Sequence, residues 1–331
     1  MPRHSSIRPI RTFGLIAVSL VWLASAAVAH AAEGGMSEYA LGFISPQAGY
    51  LPDPGTYAGY NFYLYTGGAN IGANQPVLGG HGTINAKASV DAGITAHLFS
   101  LAHIFEQPVL GGNAGVNIII PYVLADADVT GTGNISLPNR VIPIAGGKGF
   151  GENNIGDMIA TGMLGWHQKP LHYMAMFNVY MPTGKYNDKD LVNTGKNHWA
   201  FEPMANVTYL NETNGIELSE ALGVTFNTKN QATKYETGIE THLDITAIQH
   251  FSQYVYVGGV WYGYYQLTGD SGSGAILGDF QGRIFGAGPV LGGMIPLGRH
   301  KFYVNARYYH EWGARNRLEG STTFLTAAVN F

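Results

Sequence analysis
The chain has 331 residues, a formal charge of −4 and 12% charged side chains, against about 25% in an ordinary water-soluble domain. Its 46% apolar fraction is ordinary, and the missing charge is replaced by 46 glycines and by tyrosine, which outnumbers phenylalanine 20 to 15. The absence of cysteine excludes a disulfide scaffold and thiolate metal sites, and the lack of a strongly basic patch argues against nucleic acid as a partner.

Arg3, Arg8 and Arg11 open the chain, an apolar run covers 13–28, and Ala29-His30-Ala31 supplies a small-x-small cleavage pattern. This predicts a secretory signal peptide over 1–31, cut after Ala31 or Ala32. Residues 32–55 then form a segment ahead of the first strand. From there the chain reads as strands. Tracts rich in Tyr, Phe, Val, Ile, Thr and Gly fall at 56–66, 86–99, 113–125, 154–167, 171–182, 198–210, 215–228, 235–249, 253–268, 281–297, 300–312 and 321–331, with Gly, Asn, Asp and Pro between them.

Successive strand residues point to opposite faces, and four tracts divide cleanly. Trp199, Phe201, Ala205, Val207 and Tyr209 oppose His198, Glu202, Asn206 and Thr208. Tyr235, Ile239, Leu243, Ile245 and Ala247 oppose Glu236, Glu240, His242, Asp244 and Thr246. Val304, Ala306 and Tyr308 oppose Lys301, Asn305 and Arg307, and Leu325, Ala327, Val329 and Phe331 oppose Thr322, Phe324, Thr326 and Ala328. Soluble strands usually run about five or six residues, whereas a tilted membrane-spanning strand needs about nine to eleven. The links at 100–112, 167–171, 210–215, 249–253 and 297–300 are mostly short. Those at 67–85, 126–153, 183–197, 268–281 and 313–320 are mostly longer, as in outer-membrane barrels with short periplasmic turns and long outer loops.

An open sheet edge in hydrocarbon would leave backbone groups unpaired, so the sheet must close. The fold expected is therefore all-β, a transmembrane antiparallel barrel of about twelve strands over 56–331, in contact with outer-membrane lipid. Trp166, Trp199, Tyr209, Tyr235, Phe251, Tyr254 and Trp312 sit near tract ends, where interfacial aromatic girdles belong. Phe331 ends the chain on an aromatic that barrel-insertion machinery would read. Glu220 falls on the apolar face of its tract, between Leu218 and Leu222, and has no account at this level.

On the polar faces, Asp91, Asp157, Glu202, Glu217, Glu236, Glu240 and Asp244 stand against Arg283, Lys301 and Arg307, with His97, His198 and His242 among them. These are expected to line the lumen, acid on one wall and base on the other, with a slight preference for cations. The histidines lack metal-motif spacing. Gly269-Asp270-Ser271-Gly272-Ser273-Gly274 and Gly146-Gly147-Lys148-Gly149-Phe150-Gly151 read as loops, since neither carries the context of a nucleophile or a P-loop. No cofactor and no catalytic residue is expected. A hydrolytic barrel would need a serine such as Ser219 beside a histidine; a purely structural barrel is the other alternative.

The chain resembles the outer-membrane proteins known as phenol meta-degradation pathway proteins. The matching pieces include Leu51-Pro52-Asp53-Pro54-Gly55-Thr56-Tyr57, Asn154-Ile155-Gly156-Asp157, Pro182-Thr183-Gly184-Lys185-Tyr186, Asn193-Thr194-Gly195-Lys196-Asn197-His198-Trp199 and Gly313-Ala314-Arg315-Asn316-Arg317-Leu318-Glu319-Gly320. Asp53 departs from a run often written as three prolines. The resemblance implies a barrel that takes up aromatic or other hydrophobic small molecules without transforming them. By analogy with channels for hydrophobic compounds, the segment 32–55 would tuck into the lumen as a plug.

Overall fold
The computed structural model describes residues 35–331 except 45, 78–81, 138–139, 276–277 and 299; the expected signal peptide lies outside the described residues. Thirteen strands follow in order: β1 (Gly55–Val77), β2 (Gly82–Val109), β3 (Gly112–Leu137), β4 (Arg140–Ile155), β5 (Met158–Gln168), β6 (Leu171–Met181), β7 (Ala200–Asn211), β8 (Ile216–Asn227), β9 (Glu240–Ser252), β10 (Val255–Gln266), β11 (Arg283–Leu297), β12 (His300–Arg315) and β13 (Glu319–Asn330). Twelve of them close a ring. β1 pairs with β2, β2 with β3, β3 with β5, each strand from β5 onward with the next, and β13 returns to β1. Every pairing is antiparallel, so no spanning edge is left unpaired in the ring.

The period-two pattern decides which way each strand faces. On β13, Phe324 is fully buried inside while its neighbour Leu325 is 47% exposed on the outside. On β7, Glu202 and Thr208 are fully buried, and Trp199, just ahead of the strand, is exposed. The outer face carries Phe99, Leu101, Leu218, Leu222, Leu291, Ile295 and Leu325, all exposed, which in water would be a liability. Against lipid it is the required surface. Short turns close one end. Leu110 and Gly111 both have positive φ (50° and 77°), the pair of left-handed residues that a two-residue type I′ hairpin needs.

The links at 67–85 and 126–153 are not loops. The β1–β2 ladder continues to Val77↔Gly82, well past the last β1–β13 pair at Gly68↔Glu319. β3 leaves β5 after Ile119↔Ile159 and pairs with β4 from Tyr122↔Ile155 to Leu137↔Arg140. The four strands thus project beyond the ring as a fin, and β4 is the thirteenth strand that the tract count omitted. Gly146 to Gly151 lie in β4. The signal was lost because the described side chains of β4 are mostly exposed, and a strand that buries so little needs no alternation of apolar and polar residues. At the other extreme, the tract 235–249 begins pairing as a strand only at Glu240. Tyr235 lies buried among the outer loops, its hydroxyl bonded to Asp270, and is not an interfacial aromatic.

The irregular segment 35–54 runs up the inside of the ring. Near the short-turn end, Leu51 packs with Ile104 and Met174. The Gly49 N–H donates to Thr208 Oγ1 at 2.9 Å and the Gln47 N–H to Glu217 Oε1 at 2.7 Å. Gly42 lies against the ring of Tyr309, so tightly that a Cβ would collide with it. Tyr39 and Glu38 reach the loop-bearing end.

Candidate functional site: the lumen and its inner segment
The interior has two unlike walls. From β6 to β9 it is polar. Glu202 Oε2 accepts from Asn178 Nδ2 (2.9 Å) and Tyr180 OH (2.7 Å), and its Oε1 accepts from Thr225 Oγ1 (2.8 Å) and lies 3.1 Å from His242 Nε2. Glu217 accepts from Gln47 and Ser219, with His250 Nε2 at 2.7 Å. Glu240 accepts from Tyr264 OH (2.7 Å) and Asn227 Nδ2 (2.9 Å). Buried carboxylates survive only when their oxygens are supplied with donors in this way. From β10 round to β1 the wall is aromatic: Tyr262, Tyr264, Tyr309, Phe324, Tyr63 and Tyr65 are all buried. Ring pairs such as Tyr262–Tyr309 at 4.9 Å add about 0.5–1.5 kcal/mol each beyond burial.

Tyr39 joins the two walls. Its ring stacks on His242 at 3.6 Å and 7°, and its hydroxyl donates to Asp244 Oδ2 while accepting from the Ile44 N–H at 2.6 Å. One residue earlier, Glu38 Oε1 sits 2.9 Å from His198 Nε2 and 3.4 Å from Lys196 Nζ, and Lys196 also donates to the Met36 carbonyl at 2.8 Å. The loop carrying Lys196 and His198 is itself held by Asp157, which accepts from the N–H groups of Gly184 and Lys196, both at 2.7 Å. Residues 38–40 stand between two cavities, one of about 580 Å³ under the outer loops and one of about 220 Å³ beside β3, β5 and β6; all three residues line both.

Glu202, Glu217, Glu240, His242, Asp244 and Arg307 are buried inside the ring, and His198 and Asp157 lie in the loops that close its outer end. The other candidates are placed differently. Asp91 and His97 are on the outward parity of β2, opposite to the buried Val90 and Ala96. His97 bonds the Tyr60 hydroxyl at 2.8 Å on that outer face. Arg283 is outward too, its guanidinium over the exposed-side ring of Phe285 at 5.8 Å. Glu236 belongs to a loop, bridged to Ser271 and 3.6 Å from Lys229 Nζ, and contributes nothing to β9. Lys301 shares the inward parity of Arg307 but is exposed at the turn end. Polarity alone misassigned these residues because rims and loops accept polar groups on either face. Glu220 is exposed on the outward face, between Leu218 and Leu222, as the alternation placed it. Ser219 bonds Thr208 and Glu217, both at 2.8 Å, rather than a histidine. Glu38, Tyr39, Tyr180 and Arg317 were not anticipated. Three of them lie in irregular segments, which carry no period to read.

Glu38 and His198 lie outside the spanning strands, and their coupling has a sign. Burial pushes the Glu38 carboxyl up, but the charge of Lys196 and the bond and charge of His198 outweigh it and bring the group below its ordinary 4.5. Burial pushes the His198 imidazole down, but the bond to Glu38 and its charge raise it above 6.5. A lowered carboxylate stabilises the folded contact above 4.5 and loses that as pH falls through its folded value; a raised imidazole stabilises below 6.5 and loses that as pH rises through its own. The contact is therefore strongest between those two values. Conductance recorded in planar bilayers is expected to rise as pH increases above 6.5 and through the raised value of His198, and Glu38→Gln is expected to flatten that dependence.

Against known proteins, residues 65–327 match the model of the family described as "Putative MetA-pathway of phenol degradation". The chain belongs to this family. Among solved structures, the ring resembles an outer membrane channel of Pseudomonas putida F1, with a TM-score of 0.59 at 13% identity over 86% of this chain and 99% of that one. A FadL homologue of Pseudomonas aeruginosa aligns at a TM-score of 0.41 and 8% identity, over 87% of this chain and 93% of that one. The likeness to the first is one of fold. A comparison with curated protein sequences finds no match. The family match begins within β1 and ends within β13, so it leaves out Glu38 and Tyr39.

Proposed function
We propose that the protein is a channel of the bacterial outer membrane that admits small aromatic or other hydrophobic molecules by passive passage. The observation that carries this reading is the pair of cavities inside a closed ring, lined largely by apolar side chains and sharing Glu38, Tyr39 and Ala40 with Leu98, Val123, Thr194 and Lys196 as the boundary between them. Membership of a family named for phenol degradation and the fold shared with an outer membrane channel support it. In this reading residues 32–55 form a plug, the buried charges shape the lumen rather than catalyse, and 1–31 is removed on export. The test is toluene entry into liposomes containing the folded barrel. Entry well above that of protein-free liposomes is expected; equal rates would dismiss the channel.

Phe331 is proposed to guide insertion. It is 72% exposed, holds the strand end through its N–H to the Thr56 carbonyl at 3.0 Å, and meets the His300 ring edge-on at 6.3 Å. So little burial gives it little weight in the finished fold. Deleting Phe331 is nonetheless expected to lower the heat-modifiable folded band in outer membranes several-fold, on the order of a tenfold loss at most, while barrels that do fold keep the wild-type urea midpoint. Unchanged folded yield would remove Phe331 from insertion.

A further inference from the structure
The outer rim carries a pair of arginines that the lumen does not use. Arg283 opens β11, Arg315 ends β12, and the two stand directly opposite each other in the ladder. The register reaches this pairing through a bulge. From Phe285↔Trp312 to Arg283↔Arg315, β11 advances two residues and β12 three. Gly313 takes a φ of 73° there, the left-handed conformation that such an insertion uses. Simple alternation from the outward Trp312 would turn Arg315 toward the lumen. The extra residue turns it out, onto the face of Arg283. That face is fixed as outward by Ile284, the fully buried residue between Arg283 and Phe285. A bulge re-aims side chains, and here it sets two like charges side by side, an arrangement that destabilises a bare sheet. Among the described residues neither guanidinium has a carboxylate within 4.0 Å. Arg283 Nε makes a long bond of 3.4 Å to the Gly313 carbonyl, and its guanidinium lies over Phe285. Glu319, the acid that follows on β13, accepts from the Ala314 N–H at 2.8 Å.

The surroundings of the pair indicate its partner. Tyr265 flanks Arg283 across the β10–β11 ladder. Below, on the same outward face, Phe285 neighbours Trp261 and Trp312, both at 6.3 Å. Such an aromatic belt marks the level where hydrocarbon gives way to head groups. The arginines stand one pair beyond it at the loop-bearing end, and so at the height of the outer-leaflet head groups. The basic arc is local: on β2 and β3 the outward pair at the rim is Asp91 facing Asp128. Phosphate is the anion that a planar guanidinium fork matches with two bonds at a time, and clusters of basic residues beside a bilayer recognise anionic head groups. We propose that Arg283 and Arg315 clamp a phosphate of an outer-leaflet glycolipid, whose acyl chains run down the aromatic and aliphatic face below. The two charges that repel in the bare rim then share one anionic partner. This goes beyond the channel reading and holds whatever passes through the lumen.

The test uses the folded full-length barrel in detergent, with Arg283→Gln, Arg315→Gln and the double variant alongside. Folding of each is checked by heat-modifiability. The probe is bis-phosphorylated lipid A, compared with its dephosphorylated form, and bound lipid is measured by native mass spectrometry. The native barrel should hold the phosphorylated lipid over the dephosphorylated one by at least about tenfold. Each single substitution should remove part of that preference and the double variant all of it, with the dephosphorylated lipid held as before. Equal retention of the two lipids by the native barrel would overturn the proposal. A preference that survives the double substitution would overturn it as well. So would displacement of lipid A by millimolar inorganic phosphate, which would make the pair a site for free anions rather than a lipid clamp. Should the double variant not fold, the two single variants decide by the same ratio.

Discussion

Removing residues 36–50 is expected to convert a nearly closed barrel into a conducting one. The segment lies across the lumen from the turn end to the loop end. It is fixed by Gly49 to Thr208, Gln47 to Glu217, Tyr309 to the Gly42 carbonyl at 3.2 Å, and Tyr39 to Asp244. Tyr39, Leu41 and Ala48 are buried among side chains from the ring itself. A twelve-stranded ring lies between small barrels filled by their own side chains and wide open porins, so a single strand of irregular chain occupies much of its cross-section. Single-channel conductance should rise on the order of tenfold, since pore flux follows the free diameter. The point variant Tyr39→Ala should give a smaller rise of the same sign. A deletion that folds and conducts like the native barrel would show that solutes bypass the segment.

The second large effect concerns Glu202. Its side chain gathers Asn178, Tyr180 and Thr225 and lies against His242, so one truncation strands every one of them in a dry interior. Glu202→Ala is expected to cost about 3–5 kcal/mol, the usual penalty when one partner of a buried polar pair is removed. It should be seen as a lower urea midpoint of the folded barrel. Glu202→Gln keeps the shape and part of the bonding and should cost less. Pairing Glu202→Ala with His242→Ala should recover part of the loss, because the imidazole no longer waits for an acid. If Glu202→Ala unfolds at the native midpoint, the polar wall is well solvated and its bonds carry little.

Where the chain crosses the membrane, its faces could be read directly. Leu325 outside and Phe324 inside on β13, or Glu202 inside between Phe201 and its outward neighbours on β7, follow from period two and a lipid-facing surface. The ring of twelve was legible for the same reason, because hydrocarbon penalises any departure from the pattern. The fin was not, since Gly67, Gly68, Gly131 and Gly133 bring no side chain to an alternating pattern there. Nor was the inner segment, whose hold on the lumen comes from single contacts between residues more than 150 positions apart, such as Glu38 with His198. Arg283 and His97 misled because each satisfies its polar end on the outer face, over Phe285 and against Tyr60.

The fin also bears on how the mouth can move. On the side of β1, β2 and β3, the hydrogen-bonded ladders run far past the rim, so widening there would require peeling a long hairpin from its tip downwards. On the side of β7 to β11, the strands stop near the rim and give way to the loops at 228–239 and 267–282. The rim is thus stiff along one arc and compliant along the other. Any breathing of the entrance is hinged on the fin, and its travel is confined to the arc beneath which Tyr39 meets His242 and Asp244.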